Sequence, residues 1–316
     1  PRLDNTIRNG RRRRAAVAHL KPDLKRPNLD LVTHALANRI VIEKGHAVGV
    51  EYEKNGIKRQ ARASHSVIIS CGAIKTPQLL MLSGIGLAAH LESLGIPVVQ
   101  DLPGVGKNLR DHPSAAVIYR AAGEKPDLQA PVIQVGLRYT IEGSDLRNDM
   151  QLSPMLMTSE HRPAQVVVDD DANYIGMSAS LQLALGAGEL TLTSTDPHVQ
   201  PFLNYNYYQE PEDLRRMREA IRLGVRLAES PEFSAILLDR VIPTDEDLAS
   251  DTALDDWLRK NSGTSHHISG TCKMGVDSDH MAVVNQYGRV HGIEGLRVAD
   301  ASIMPDCIRA NTNATT

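Results

Sequence analysis

Ser66-Val67-Ile68-Ile69-Ser70-Cys71-Gly72-Ala73 reads as a short apolar strand running straight into a Gly-Ala pair. A buried strand that ends this way marks the carboxyl edge of an open α/β sheet, where such sheets bind their ligands. A second strand of the same kind, Leu296-Arg297-Val298-Ala299, ends at Asp300. A carboxylate there can hold a sugar hydroxyl or cap a helix beginning near Ser302. Between the two strands stands Ser265-His266-His267-Ile268-Ser269-Gly270-Thr271-Cys272-Lys273-Met274-Gly275, with adjacent histidines before a Gly-Thr turn. An imidazole exchanges a proton near neutral pH. Asn311-Thr312-Asn313 closes the segment. Together these stretches predict an α/β fold with a redox or acid–base site beside a nucleotide cofactor.

The chain has 316 residues, a length that predicts two domains. Its net charge of −3 carries no nucleic-acid footprint. The basic run Arg11-Arg12-Arg13-Arg14 continues into Ala15, Ala16 and Val17, so it reads as a solvated helix face. Cys71, Cys272 and Cys307 are odd in number and lack metal-ligand spacing, which points to a reducing, cytoplasmic compartment and no metal. No apolar run approaches a membrane span, and no signal-peptide pattern opens the chain. Pro1 stands where an initiator Met would, so the expectation is a fragment or a processed chain.

The local pattern predicts strands over 28–33, 39–43 and 47–52, the last two joined by a hairpin at Lys44-Gly45-His46. A helix is expected over 76–82 with Thr76 as N-cap and Pro77 at its first position, then another over 88–94 stopped by Gly95. Gly104 and Gly106 allow close backbone approach, in a tight turn or toward a ligand. From 114 to about 186 the pattern turns β-rich, with strands over 132–139, 165–168, 178–184 and 189–194 in an antiparallel sheet. Pro211 opens a helix whose stripe is Leu214, Met217, Ile221, Val225 and Ala228, opposite four arginines. A shorter helix over 251–260 is expected to be capped by Asp251.

Four blocks in order resemble the C-terminal region of the glucose–methanol–choline (GMC) flavin oxidoreductases: 267–275, 288–292, 296–305 and 311–314. Cys71-Gly72-Ala73 through Gly86, with Pro103-Gly104-Val105-Gly106 and Asn108-Leu109-Arg110-Asp111-His112, is similar to the family's second signature and the loop after it. The run 188–197 is similar to its substrate-domain entry strand. The resemblance implies an α/β (α+β overall) chain: a remnant of a Rossmann-like FAD-binding domain over 1–113 and 256–316, and a substrate domain over 114–255 with an antiparallel sheet and flanking helices.

It also implies function. His267 is the family's base, which takes the proton of an alcohol as hydride leaves the adjacent carbon for FAD; His266 is the lesser candidate. Asn311 hydrogen-bonds the substrate oxygen beside the flavin, and an amide does so without titrating. Ala37, near the adenine, and Asn108, Asp300, Ala301 and Thr312 are implied cofactor contacts; Thr312 stands where the family often has Pro. The partners are a small-molecule alcohol and an electron acceptor, dioxygen or another, with no nucleic acid. A choline dehydrogenase-like substrate calls for an aromatic cage; one Trp and two Phe speak against it, and eight Tyr leave it open. The alternatives are a cyanohydrin lyase of the same fold and a catalytically incomplete fragment. No Gly-x-Gly-x-x-Gly follows a strand. The pyrophosphate-binding βαβ unit is therefore expected to lie outside this chain, as is the family's last helix, beyond Thr316.

Overall fold

The structure, a computed structural model, describes residues 14–123, 132–133, 135–157 and 172–316, and the backbone of residues 7–8 and 11–12. Arg11 and Arg12 pair with Ile7 and Arg8 as a short antiparallel ribbon instead of opening a helix, which starts only near Ala16. Like charges stacked at i and i+3 work against a helical turn there. Residues 28–33 form no strand; Leu31 and Val32 stay half exposed. Strand β1 (Ala35–Glu43), β2 (His46–Lys54) and β3 (Ile57–Arg62) build an antiparallel three-stranded sheet. Both hairpins turn on paired positive φ, at Lys44-Gly45 (51° and 78°) and Asn55-Gly56 (55° and 72°), matching the strand twist. The third strand was not expected, although Asn-Gly is its plain signal.

Strand β4 (Val67–Ile69) leads into helix α1 (Gly72–Leu82) and then α2 (Ala88–Ser93). Helix α1 starts four residues before the expected cap, and Pro77 lies inside it. An internal proline leaves the carbonyl four residues back without its helical donor. That carbonyl is Ala73 O, and the buried Thr271 hydroxyl donates to it at 2.6 Å. Tertiary structure thus makes the earlier start affordable.

Strands β5 (Pro113–Ala121), β6 (Leu137–Tyr139), β7 (Met150–Met157) and β8 (Asn173–Leu181) follow. The strand expected over 132–139 shortens to β6 plus one bridge between Ile133 and Met155; that expected over 165–168 lies outside the described residues. Next come β9 (Glu189–Thr191), β10 (Phe202–Asn204), helix α3 (Pro211–Ala228), β11 (Leu237–Ile242), helix α4 (Asp251–Asn261), β12 (Gly263–Thr264) and β13 (Leu296–Val298). The large antiparallel sheet has the order β6-β7-β8-β5-β11, and β12 also pairs with β5. Strand β13 pairs in parallel with β4, Leu296 opposite Val67 and Val298 opposite Ile69, so the two strands read first in the sequence share one sheet.

Two apolar cores result. One gathers β1, β2, β4, α1, α2, β9 and β13 around Ile40, Leu80, Ile85, Leu190 and Leu296. The other packs α3 and α4 on the large sheet through Val117, Leu152, Met177, Met217, Ile221 and Trp257. The expected stripe of α3 faces this core. Helix α4 is capped by Ser250, whose hydroxyl accepts from Ala253 N at 3.1 Å; Asp251, the expected cap, pairs instead with Arg218 and Arg222. Among the described residues no helix is long and apolar enough to cross a membrane.

Arg216 was not anticipated inside this core. It is fully buried and held by Asp149 at 3.0 Å and Asp213 at 2.5 Å. Asp213 also accepts from Leu185 N and Gly186 N, and Asp149 from Ile141 N, so the charges fasten loops onto α3. Removing one member of a buried ion set leaves the others unpaired, at a cost of about 3–5 kcal/mol. Arg216→Ala should lower unfolding free energy by that amount, read by urea titration of the fluorescence of Trp257. Arg216→Met should lower it less if packing dominates.

Candidate active site

The Leu102–His112 loop is folded against its own chain. Gly106 N donates to Thr271 O at 2.8 Å, and a Cβ on Gly106 (φ +81°) would meet Leu190 O at 2.3 Å. Gly104 likewise faces Met281 O, at 2.1 Å from a built Cβ. Both glycines are therefore demanded by backbone-to-backbone contact. Arg110 exchanges two backbone hydrogen bonds with Ser269, each 2.9 Å. Its guanidinium, almost entirely buried, donates to the carbonyls of Ala184, Leu185 and Gly186 and to Asp306. The loop thereby joins the histidine segment, the end of β8 and the C-terminal segment.

Asp111 is the hub. Its buried carboxylate accepts from His112 N at 2.8 Å and His267 N at 3.1 Å through one oxygen, and from Tyr207 OH at 2.6 Å through the other. This fixes two histidines 155 residues apart in sequence with their Nδ1 atoms 3.0 Å from each other. The carbonyl of Ile308 lies 2.8 Å from His112 Nε2, and Asn311 Nδ2 lies 2.9 Å from His267 Nε2. A carbonyl only accepts and an amide nitrogen only donates, so the protons are assigned by the network. His112 carries its proton on Nε2; His267 carries its own on Nδ1 and donates it to His112. His267 Nε2 is unprotonated, and its lone pair accepts from the Asn311 amide.

Burial first, then the neighbouring His267, pushes His112 down to about 4 against the opposing pull of Asp111. Burial also lowers His267, with His266 adding and Asp111 opposing. Both rings are neutral at pH 7. His266 is exposed, in the left-handed region at φ +62°, and its N–H donates to Thr264 Oγ1. Both His266 and His267 border a cavity of about 570 Å³ that Asn311 also lines, within the roughly 300–1,000 Å³ of ligand sites.

Of the expected cofactor residues, Asp300 and Ala301 lie behind this site. Asp300, nearly buried, accepts from Gly72 N at 3.0 Å, Thr76 Oγ1 at 2.5 Å and Ser302 N at 2.8 Å. It caps the 3-10 turn Ala301–Ile303 and pins the start of α1. Gly270 N, Cys272 N and Met274 N donate in turn to the carbonyls of Ala301, Ser302 and Ile303, so the histidine segment is laddered onto the 3-10 turn that follows β13. Asn108, at φ +55°, donates from its amide to Gly270 O and Pro305 O, both at 3.2 Å. Thr312 opens the 3-10 turn after Asn311. Ala37 sits in β1, opposite Tyr52. Asp111, Tyr207 and the part played by His112 were missed; the motif Asn108–His112 was in view, but nothing local says which side chain its aspartate holds.

Residues 3–114 match the N-terminal part of GMC oxidoreductases, and residues 185–316 match the C-terminal part. The chain belongs to the GMC oxidoreductase family. It is 36% identical to an oxygen-dependent choline dehydrogenase of Chromohalobacter salexigens, over 98% of this chain and 59% of that protein. It is 37% identical to one of Burkholderia multivorans, over 99% and 59%. The chain thus spans about three fifths of the length of the curated relatives it matches. Pyridoxine 4-oxidase from Mesorbium loti superposes with a TM-score of 0.89 at 23% identity, over 98% of this chain and 60% of that one. Formate oxidase from Aspergillus oryzae gives 0.85 at 24%, over 93% and 59%. These likenesses establish the mixed α/β fold of the family.

The two imidazoles offer a direct measurement. His112 should remain neutral until about pH 4, and His267 should titrate below its ordinary 6.5. Because the unfolded chain takes up these protons first, stability should fall as pH drops from about 6.5 and stop falling through His112 below about 4. Imidazole ¹⁵N shifts across this range should show the His267 Nδ1–H and His112 Nε2–H tautomers.

Proposed function

We propose that this chain is the greater part of an FAD-dependent oxidoreductase that oxidises an alcohol CH–OH group to a carbonyl, with His267 as general base. The observation that carries the reading is the row Ile308–His112–His267–Asn311, which leaves an unprotonated His267 Nε2 and an amide donor together at the cavity wall.

The residues present suit the cofactor. Gly72 opens α1 at φ +81°, and a Cβ built there meets nothing within 4 Å, so a helix N-terminus has free space beside it. Asn38 Oδ1, next to Ala37, is a buried acceptor with no hydrogen-bond partner among the described residues. Asn108, Asp300, Ala301 and Thr312 would hold the flavin end and Ala37 the adenine end. When bound, FAD supplies the acceptor for the hydride lost from the carbinol carbon.

The protein residues manage the oxygen. The substrate hydroxyl gives its proton to His267 Nε2, and the alkoxide left behind is a better hydride donor than the neutral alcohol. The Asn311 amide donates to the developing negative charge on that oxygen. His112, itself hard to protonate, accepts the hydrogen bond from His267 Nδ1–H and keeps the ring in the productive tautomer. The electron pair removed with the hydride passes on to dioxygen or another acceptor. The family relatives named as oxygen-dependent choline dehydrogenases support this class of reaction. Three free cysteines suit a reducing, cytoplasmic setting.

In the flavin-loaded full-length protein, His267→Ala should slow anaerobic flavin reduction about 10²–10⁴-fold. His266→Ala should cost far less. The neutral ring is the active form and its pKa is lowered, so the rate should be level at and above pH 6.5 and fall only below it. A wild-type rate in His267→Ala defeats the mechanism. Asp300→Ala should lower FAD retained through gel filtration more than it lowers the rate per bound flavin, because it frees the starts of α1 and the 3-10 turn together.

A further inference from the structure

The large sheet has two unlike faces. Met150, Leu152, Met177 and Ala179 point to α3 and the second core. The alternate residues of the same strands form the floor of the His267 cavity. The register places Gln151, Ser180 and Ser114 side by side across β7, β8 and β5, and Ser153 beside Ser178 in the next row. Further from β12 the floor turns apolar at Met155. The polar rows are internally connected: Gln151 Nε2 donates to Ser153 Oγ at 3.3 Å, Gln182 Nε2 donates to Ser180 Oγ at 3.0 Å, and Ser180 and Ser265 hydroxyls lie 3.4 Å apart.

Among the described residues no Asp, Glu, Lys or Arg and no Phe, Tyr or Trp lines this cavity, whose rings are the imidazoles of His266 and His267. The chain's one Trp, eight Tyr and two Phe all fall within the described residues, and none of them lines this cavity. A quaternary ammonium group calls for aromatic faces or a carboxylate. A substrate carboxylate calls for Arg or Lys. Serine hydroxyls and glutamine amides both donate and accept, which is the pattern another hydroxyl presents. A sheet also holds them rigidly, and their partly used capacity remains open toward the cavity.

Resting on the alcohol-oxidation reading, we infer that the substrate is an uncharged alcohol bearing further hydroxyl groups, of the polyol class. It is not an ammonium alcohol, despite the kinship with choline dehydrogenases. The carbinol to be oxidised lies at His267 and Asn311, the other hydroxyls lie on the Gln151 and Ser153 rows, and the carbon chain runs toward Met155.

The test is anaerobic stopped-flow reduction of the flavin-loaded full-length protein by sorbitol, choline and 1-butanol, which separates the reduction rate constant from Kd. Sorbitol should exceed choline in their ratio by at least about tenfold, a margin of one or two well-placed hydrogen bonds. In Gln151→Leu the sorbitol-to-butanol ratio should fall about tenfold, mainly through the sorbitol Kd. The near-isosteric Gln151→Glu should raise choline relative to sorbitol. Preference for choline in the wild type, or equal loss for sorbitol and 1-butanol in Gln151→Leu, overturns the inference and leaves the alcohol mechanism standing. Reduction by none of the three overturns that mechanism and the inference with it.

Discussion

The carboxylate of Asp300 is the fastening on which the site depends. It ties three groups from distant parts of the chain: the Gly72 amide and Thr76 hydroxyl of α1, and the Ser302 amide after β13. A buried carboxylate is tolerated when hydrogen bonds replace its lost hydration. Here the replacement also aligns the carboxyl ends of two parallel strands with the start of a helix. The Thr271 hydroxyl adds a second link by donating to the Ala73 carbonyl that Pro77 leaves open. The segment bearing His267 is then laddered onto residues 301–303. Loosening this junction would move the base as well as the helix.

Asp111 plays the corresponding part from the other side. Its charge favours protonated histidines, yet burial is the larger effect on both His112 and His267. The outcome is an aspartate that positions without charging. It spends its hydrogen bonds on two backbone amides and a tyrosine hydroxyl, and leaves the imidazole nitrogens to face each other. A direct carboxylate–imidazole bond would instead stabilise the imidazolium, raise the ring's pKa and leave more of it already protonated at rest. The second histidine supplies orientation without a fixed charge.

The large sheet contributes in a different way. Its period-two alternation lets one set of strands serve as core on the α3 side and as a hydroxyl- and amide-rich floor on the other. On the core side the buried Arg216 is matched by Asp149 and Asp213. The cavity side is polar but uncharged among the described residues. That separation makes the floor suited to hydroxyls.

The sequence by itself determined the local and the ordered: two apolar strands ending in Gly-Ala and in Asp300, the hairpin at Lys44-Gly45, the apolar stripe of α3, and four motif blocks in family order. These follow from periodicity, turn chemistry and residue identity within a few positions of each other. Only the tertiary structure decided where α1 begins, because Pro77 argues locally for a later start and Thr271, 198 residues from the Ala73 carbonyl it bonds, removes the objection. It also decided that Asp251 is an ion-pair partner and Ser250 the cap, that Arg216 is buried, and that Gly104 and Gly106 meet the chain's own carbonyls. Above all it brought His112 to His267 and laid Gln151 beside Ser180 and Ser114. Strand register and buried hydrogen bonds between remote residues are cooperative choices of the whole fold, and a single polar side chain read alone has no way to announce its partner.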